Sequence, residues 1–114
     1  MQNVVRAFPL RASREALEAF AAQLKGRRAG EASSFYRRYG VVDESWHVQE
    51  TPIGPWVIAV TVIADAAEAA PRYAQSTEEF EAWFKAEVMS LTGIDPNVTP
   101  LGPPTTQVFR WTSP

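Results

Sequence analysis

The spacing of hydrophobic residues along this chain changes repeatedly between two patterns. One is typical of strands and the other of helices, so the chain is predicted to contain both. Runs rich in Val, Ile and aromatic residues, bounded by Pro and Gly, are typical of strands. Four such runs predict strands at Asn3–Leu10, Val41–Thr51, Trp56–Ile63 and Thr105–Trp111. Between them, apolar residues recur at three- and four-residue steps, which predicts helices. A loop rich in Pro and Gly, IDPNVTPLGPP, precedes the last strand.

The first helical segment begins after Ser13, whose side chain can cap a helix N-terminus. Leu17 and Phe20 fall on one face of this segment. Gly26 and Gly30 weaken its middle, so the segment is either two helices or one bent helix.

A second helical segment lies between the third and fourth strands. An alanine-rich stretch after Asp65 is interrupted near Pro71. Ser76 and Glu79 then form an S-x-x-E pattern, which predicts a capping box and a helix that ends at Gly93. The order strand, helix, strand, strand, helix, strand predicts an α+β, ferredoxin-like βαββαβ domain with a four-stranded antiparallel sheet over residues 1–114.

The third predicted strand is apolar on both faces. Trp56, Ile58, Val60 and Val62 point one way, and Val57, Ala59, Thr61 and Ile63 the other. An antiparallel sheet with helices on one face usually exposes polar residues on the other. The pattern therefore predicts that a second copy of the chain covers the second face, related by twofold symmetry.

This order of elements, with the segments ESWHVQETPIGPWVIAV and STEEFEAWFKAEV, resembles small bacterial members of the dimeric α/β-barrel superfamily. The resemblance covers nearly the whole chain. It implies a homodimer in which two four-stranded sheets face each other and enclose a barrel that often holds a small organic ligand. It also implies a function of the kind known in that superfamily, such as cofactor-independent oxygenation, isomerisation, cyclisation or haem degradation.

Composition narrows the functional classes. Hydrophobic residues make up 46% of the chain and charged residues 21%, as in ordinary globular domains. The absence of cysteine excludes disulfides and thiolate metal sites. A net charge of -2 argues against nucleic-acid binding driven by overall positive charge. No run is long enough for a signal peptide or a membrane span. We expect a cytoplasmic protein with no cofactor and no membrane or nucleic-acid partner.

His47 and Glu50 are the candidate catalytic residues. His47 is the only side chain whose unperturbed pKa lies near neutrality, so it is the first candidate for proton transfer. Its alternatives are an ordinary sheet histidine or a haem ligand. On a regular strand His47 and Glu50 face opposite sides. If Thr51 pairs with Trp56, His47 lies opposite Val60, but a one-residue change in loop length inverts the faces, so both registers stay open.

Arg6, Trp46 and Thr61 are the candidate substrate-binding residues. Arg6 lies inside an apolar strand, where it could hold a carboxylate or enolate oxygen or form an intersubunit ion pair. Trp46 has polar neighbours on the strand of His47, and in the register above it lies opposite Thr61. Glu44 is expected at the sheet edge. Two functions stay open: a metabolite-binding protein or enzyme, and a non-catalytic dimer whose barrel is filled by side chains.

Overall fold

The computed structural model describes residues 1–114 as a three-stranded antiparallel sheet with four helices. The elements in chain order are β1 (Gln2–Pro9), α1 (Arg14–Lys25), α2 (Ala29–Arg38), β2 (Val41–Thr51), β3 (Gly54–Ile63), α3 (Ala66–Gln75) and α4 (Glu79–Thr92). The strand order is β1-β3-β2, so the apolar strand β3 is central. None of the four helices combines the length and the hydropathy that a membrane span requires.

The predicted four-stranded ferredoxin-like sheet is wrong, because the sheet has three strands. The resemblance to the dimeric α/β-barrel superfamily stays a prediction. The segment Thr105–Trp111 forms no strand. Only its start touches the sheet, where Arg6 and Pro104 form one bridge and the Thr105 amide donates to the Val5 carbonyl at 3.1 Å. Pro103 and Pro104 have no amide hydrogen to extend this pairing. The strand propensity of the last residues expresses how well their side chains suit a sheet surface, and propensity alone does not make them pair with the outer edge of β1.

A tight turn fixes the register of β2 and β3. Pro52 and Ile53 form a two-residue connection, shorter than the predicted one, and Thr51 pairs with Gly54. Gly54 has a φ of 116°, a conformation that favours glycine. The Thr51 hydroxyl donates to the Gly54 carbonyl at 2.6 Å, which locks the turn. The register differs by two residues from the one considered for Thr51 and Trp56, so every side chain keeps the face expected there.

The helix boundaries confirm part of the sequence reasoning. Ser13 caps α1 by accepting a hydrogen bond from the Ala16 amide at 3.1 Å. The glycine-containing segment is two helices, because α1 ends before Gly26. The predicted capping box is wrong: α4 begins at Glu79, and its N-cap position, Glu78, makes no side-chain capping bond. The preceding helix α3 runs through Pro71 instead of ending there.

The helices pack on one face of the sheet around a cluster of aromatic rings. Phe20 of α1 stacks on Trp46 with the ring centres 5.5 Å apart and also contacts Trp83 and Phe84 of α4. Phe35 of α2 meets Phe84 at 4.8 Å. The aromatic residues of α4 therefore belong mainly to the core, as their helical spacing predicts. The strands contribute buried Val57 and Ile63 among others.

The second sheet face has no such cover. Val5 and Ala7 of β1 and four residues of β3 point to this face, namely Trp56, Ile58, Val60 and Val62. None of the six belongs to the hydrophobic core, and all are partly exposed. The expectation that both faces of β3 are apolar therefore holds, but one chain buries only one of them.

Candidate functional site

Four polar or amphipathic side chains of the sheet converge on its helix-covered face. Arg6 comes from β1, Glu44 and Trp46 from β2, and Thr61 from β3. Thr61 lies opposite Glu44, and Arg6 and Trp46 both lie opposite Ala59. Because alanine is small, the central strand leaves space between the arginine and the indole. The three strands thus bring together all three residues that the sequence proposed for substrate binding, and they add Glu44.

A continuous hydrogen-bond network joins the four side chains. Arg6 Nη2 donates to the Thr61 hydroxyl, and that hydroxyl donates to Glu44 Oε1. Glu44 Oε2 accepts from Trp46 Nε1 at 2.8 Å and lies 3.4 Å from Arg6 Nη2. Both charged side chains are largely buried, at 14% and 13% exposure. The network therefore holds an ion pair of zero net charge inside the fold.

One donor of this network has no acceptor. Arg6 Nη1 donates to the Leu101 carbonyl at 3.1 Å, but Arg6 Nε is buried and has no hydrogen-bond partner. A buried donor without an acceptor is costly, typically by about 1–3 kcal/mol. Such an atom is an exception that calls for an explanation, and an acceptor oxygen on a bound molecule would supply one.

Burial changes the protonation of groups at this site. It raises the pKa of Glu44 above the usual 4.5, against the opposing effects of the Thr61 hydrogen bond and the Arg6 charge. Burial also raises the pKa of Tyr36, with a further contribution from the negative charge of Glu44. The tyrosine is therefore a neutral phenol at physiological pH, and the carboxyl group takes up a proton more readily than an exposed one.

A cavity of about 130 Å³ lies between the sheet and the helices at this cluster. Of its 26 lining residues, 18 are hydrophobic, so its walls are mainly apolar. The polar exceptions include Arg6, Glu44 and Thr61. Leu101 and Gly102 close the cavity from the loop that follows α4. This combination of apolar walls and a few convergent polar groups is characteristic of small-molecule sites.

A surface groove of about 380 Å³ lies beside the cavity, along α1 and α2. Only nine residues line this groove, and three of them, Tyr36, Glu44 and Trp46, also line the cavity. These three side chains therefore form the wall between the groove and the cavity.

The candidate catalytic residues lie apart from the cavity. His47 points to the open sheet face, where it is exposed and its Nε2 lies 3.1 Å from the Ser45 hydroxyl. Glu50 shares the strand parity of Glu44 but is exposed at the hairpin end, 3.8 Å from Arg14. The structure brings neither into contact with Arg6 or Thr61. A catalytic role for His47 or Glu50 stays a prediction that these contacts do not support.

Sequence reasoning passed over two residues of the site. Glu44 was expected at the sheet edge, yet it is the buried partner of Arg6. The signal was present, because Glu44 shares strand parity with Trp46 and both therefore had to face the same side. Tyr36 belongs to the second helix, and no local pattern brings it near Glu44 of a strand.

Metal binding finds no support in the side chains. No three His, Asp or Glu side chains lie close enough together to hold a metal ion.

Comparison with models of protein families, with curated proteins and with solved structures finds no match to the chain. The geometry of the Arg6–Glu44 cavity therefore carries the functional argument.

Proposed function

We propose that the cavity at Arg6 and Glu44 binds a small organic molecule that combines an apolar, ring-sized body with one hydroxyl or carbonyl oxygen. The single observation that carries the proposal is the buried Arg6 Nε, a donor without an acceptor in the wall of an apolar cavity. A ligand oxygen would satisfy it, while the ligand body would contact the aromatic and aliphatic walls.

The cavity volume limits the ligand. An apolar cavity of about 150 Å³ accommodates one benzene molecule. The 130 Å³ found here suits a molecule of similar size, such as a single ring with one substituent. The site itself is electrically neutral because Glu44 balances Arg6. A neutral phenol, enol or carbonyl compound therefore fits better than a dianion or an extended cation.

The same groups can move a proton. Glu44 has a raised pKa, so it can accept a proton from a ligand hydroxyl more readily than an exposed carboxylate and return it. Arg6 would stabilise the negative charge that develops on the ligand oxygen, in the manner of an oxyanion site. Proton transfer at a hydroxyl or at a carbon beside a carbonyl is the reaction class that this pair supports. Binding is the primary claim, and catalysis is its extension.

Phenol and toluene provide a matched test of the binding claim. The two molecules have the same shape, but only phenol offers an oxygen to Arg6 Nε and a hydroxyl to Glu44. We expect the chain to bind phenol at least about tenfold more tightly than toluene, because a hydrogen bond to a charged group contributes about 1.5–3 kcal/mol. Isothermal titration calorimetry, or NMR titration for weak binding, measures the two dissociation constants.

Two variants control this measurement. Arg6→Met removes the donor, and the double variant Arg6→Met/Glu44→Gln removes both charges, so that neither is left buried alone. In each folded variant, phenol should lose its advantage over toluene while toluene binds as before. Equal affinity for both molecules in the unaltered chain would contradict the proposal and leave the cluster a packing element.

A further inference from the structure

The open sheet face is an apolar surface that the chain leaves uncovered. Its six apolar side chains run along the central strand β3 and the neighbouring edge strand β1. They are Val5, Ala7, Trp56, Ile58, Val60 and Val62. The β2 border of the same face is polar, with Asp43, Ser45, His47 and Gln49. A contiguous apolar stripe with a polar border is the usual appearance of a protein interaction surface.

The C-terminal segment is the second uncovered feature. After Thr105 the chain has no regular structure and every residue is exposed. Val108, Phe109 and Trp111 are 92%, 81% and 72% exposed. Single exposed hydrophobic residues are ordinary, but three within four positions, two of them aromatic, need a surface to pack against.

The two features lie next to each other and have complementary charges. The segment leaves the fold at the outer edge of β1, where the Thr105 hydroxyl donates to the Val5 carbonyl at 2.6 Å. Arg110 lies between the two aromatic residues, and Asp43 lies at the polar border of the open face. Neither Arg110 nor Asp43 belongs to any of the ion pairs within the chain.

The area fits a pair of chains. An aromatic side chain offers about 150–250 Å², so Phe109 and Trp111 together present roughly 300 Å² at their exposures. If two copies exchange segments, the two donors and the two receiving faces together bury roughly 1,200 Å², which is the lower limit of stable interfaces. One segment folded onto its own chain buries only half of that.

We propose that residues 107–111 of one copy pack on the open sheet face of a second copy, and that two copies exchange these segments reciprocally in a homodimer. Phe109 and Trp111 contact the apolar stripe, and Arg110 lies near Asp43 of the other copy. The exchange is a packing of side chains on a sheet face and adds no strand. It is independent of the ligand cavity, which lies on the other side of the sheet.

Sedimentation velocity at micromolar concentration tests the proposal. The unaltered chain should sediment at twice its mass of 12.7 kDa. The double variant Phe109→Ser/Trp111→Ser and the face variant Val60→Lys should each sediment as monomers with unchanged circular dichroism. Ile53→Ser, at the equally exposed hairpin turn, is the matched control and should remain dimeric.

The absence of cysteine allows a second measurement. A chain with Phe109→Cys mixed with a chain carrying Val60→Cys should form a disulfide between the two chains under mild oxidation. A monomeric unaltered chain would overturn the proposal, as would a dimer that survives Phe109→Ser/Trp111→Ser. A chain carrying both cysteines that closes only within itself would show that the segment covers its own face, which also overturns the exchange.

Discussion

Two buried carboxylates of this chain, Glu44 and Glu81, have different hydrogen-bond surroundings. Glu44 shares its burial with Arg6 at a cavity, beside a donor that has no acceptor. Glu81 of α4 is fully buried, accepts a hydrogen bond from the Tyr39 hydroxyl and pairs with Arg38 at 2.8 Å. Neither Glu81 nor Arg38 lines the cavity. A buried charge alone therefore does not identify a functional site.

The two clusters differ in whether all their buried polar groups have hydrogen-bond partners. Around Glu81 the network joins α4 to the end of α2, and each carboxylate oxygen has its own donor, Tyr39 at one and Arg38 at the other. Around Glu44 the network is continuous but unfinished, because the buried Arg6 Nε has no hydrogen-bond partner and Arg6 lines the cavity. Incomplete hydrogen bonding beside an apolar cavity is the stronger indicator of binding.

Two tyrosines make this comparison testable with the same substitution. Burial and the hydrogen bond to Glu81 raise the pKa of Tyr39 to about 12, so it is a neutral donor to the carboxylate at physiological pH. Tyr39→Phe should lower the free energy of unfolding by about 1–3 kcal/mol, because a buried carboxylate loses its donor. Urea denaturation followed by circular dichroism measures this loss.

Tyr36→Phe is the matched control, since Tyr36 also lines the cavity but its hydroxyl makes no hydrogen bond within the chain. We expect a change in unfolding free energy within about 0.5 kcal/mol. Equal losses in the two variants would remove the distinction between a structural and a binding cluster.

The pH dependence of stability gives a smaller effect with a defined sign. Burial raises the pKa of Glu44 above 4.5, so between pH 4.5 and the raised pKa the folded state binds more protons than the unfolded state. The contribution of this carboxyl group to stability is therefore present at low pH and is lost as pH rises through its folded pKa. Glu44→Gln removes this titration.

The measurement is the difference in unfolding free energy between the unaltered chain and Glu44→Gln at several pH values. The difference should move against the unaltered chain as the pH rises above 4.5. A difference that is constant with pH, or that moves the other way, would mean that Glu44 does not gain protons on folding.

Local pattern predicted much of the fold. β2 and the central strand follow from runs of β-branched and aromatic residues bounded by Pro and Gly, and α1 follows from the Ser13 cap and the spacing of Leu17 and Phe20. The last strand was wrong because propensity describes whether residues suit a sheet and not whether they pair with the edge that is available, here the outer edge of β1. The capping box at Ser76 was wrong because its pattern says nothing of where tertiary packing starts α4.

The candidate site, like the fold, was predictable only where a local strand pattern determines it. Arg6, Trp46 and Thr61 stood out as polar or amphipathic positions on apolar strands, and strand pairing brings them together. The face of Glu44 follows from its strand parity with Trp46, but its pairing with Arg6 and the approach of Tyr36 depend on contacts between separate elements, which no local pattern contains. His47 drew attention through its chemistry alone, and chemistry does not determine which face of the sheet a residue occupies.

The most direct test of the central claim is the indole NMR signal of Trp46 during titration with phenol. The Trp46 Nε1 proton is bonded to Glu44, and the chain has four tryptophans, so Trp46→Phe identifies the signal among four. Phenol should shift the Trp46 signal in a saturable manner and leave that of exposed Trp111 unchanged. A Trp46 signal that stays in place, or four signals that shift alike without saturation, would contradict a binding site at Arg6 and Glu44.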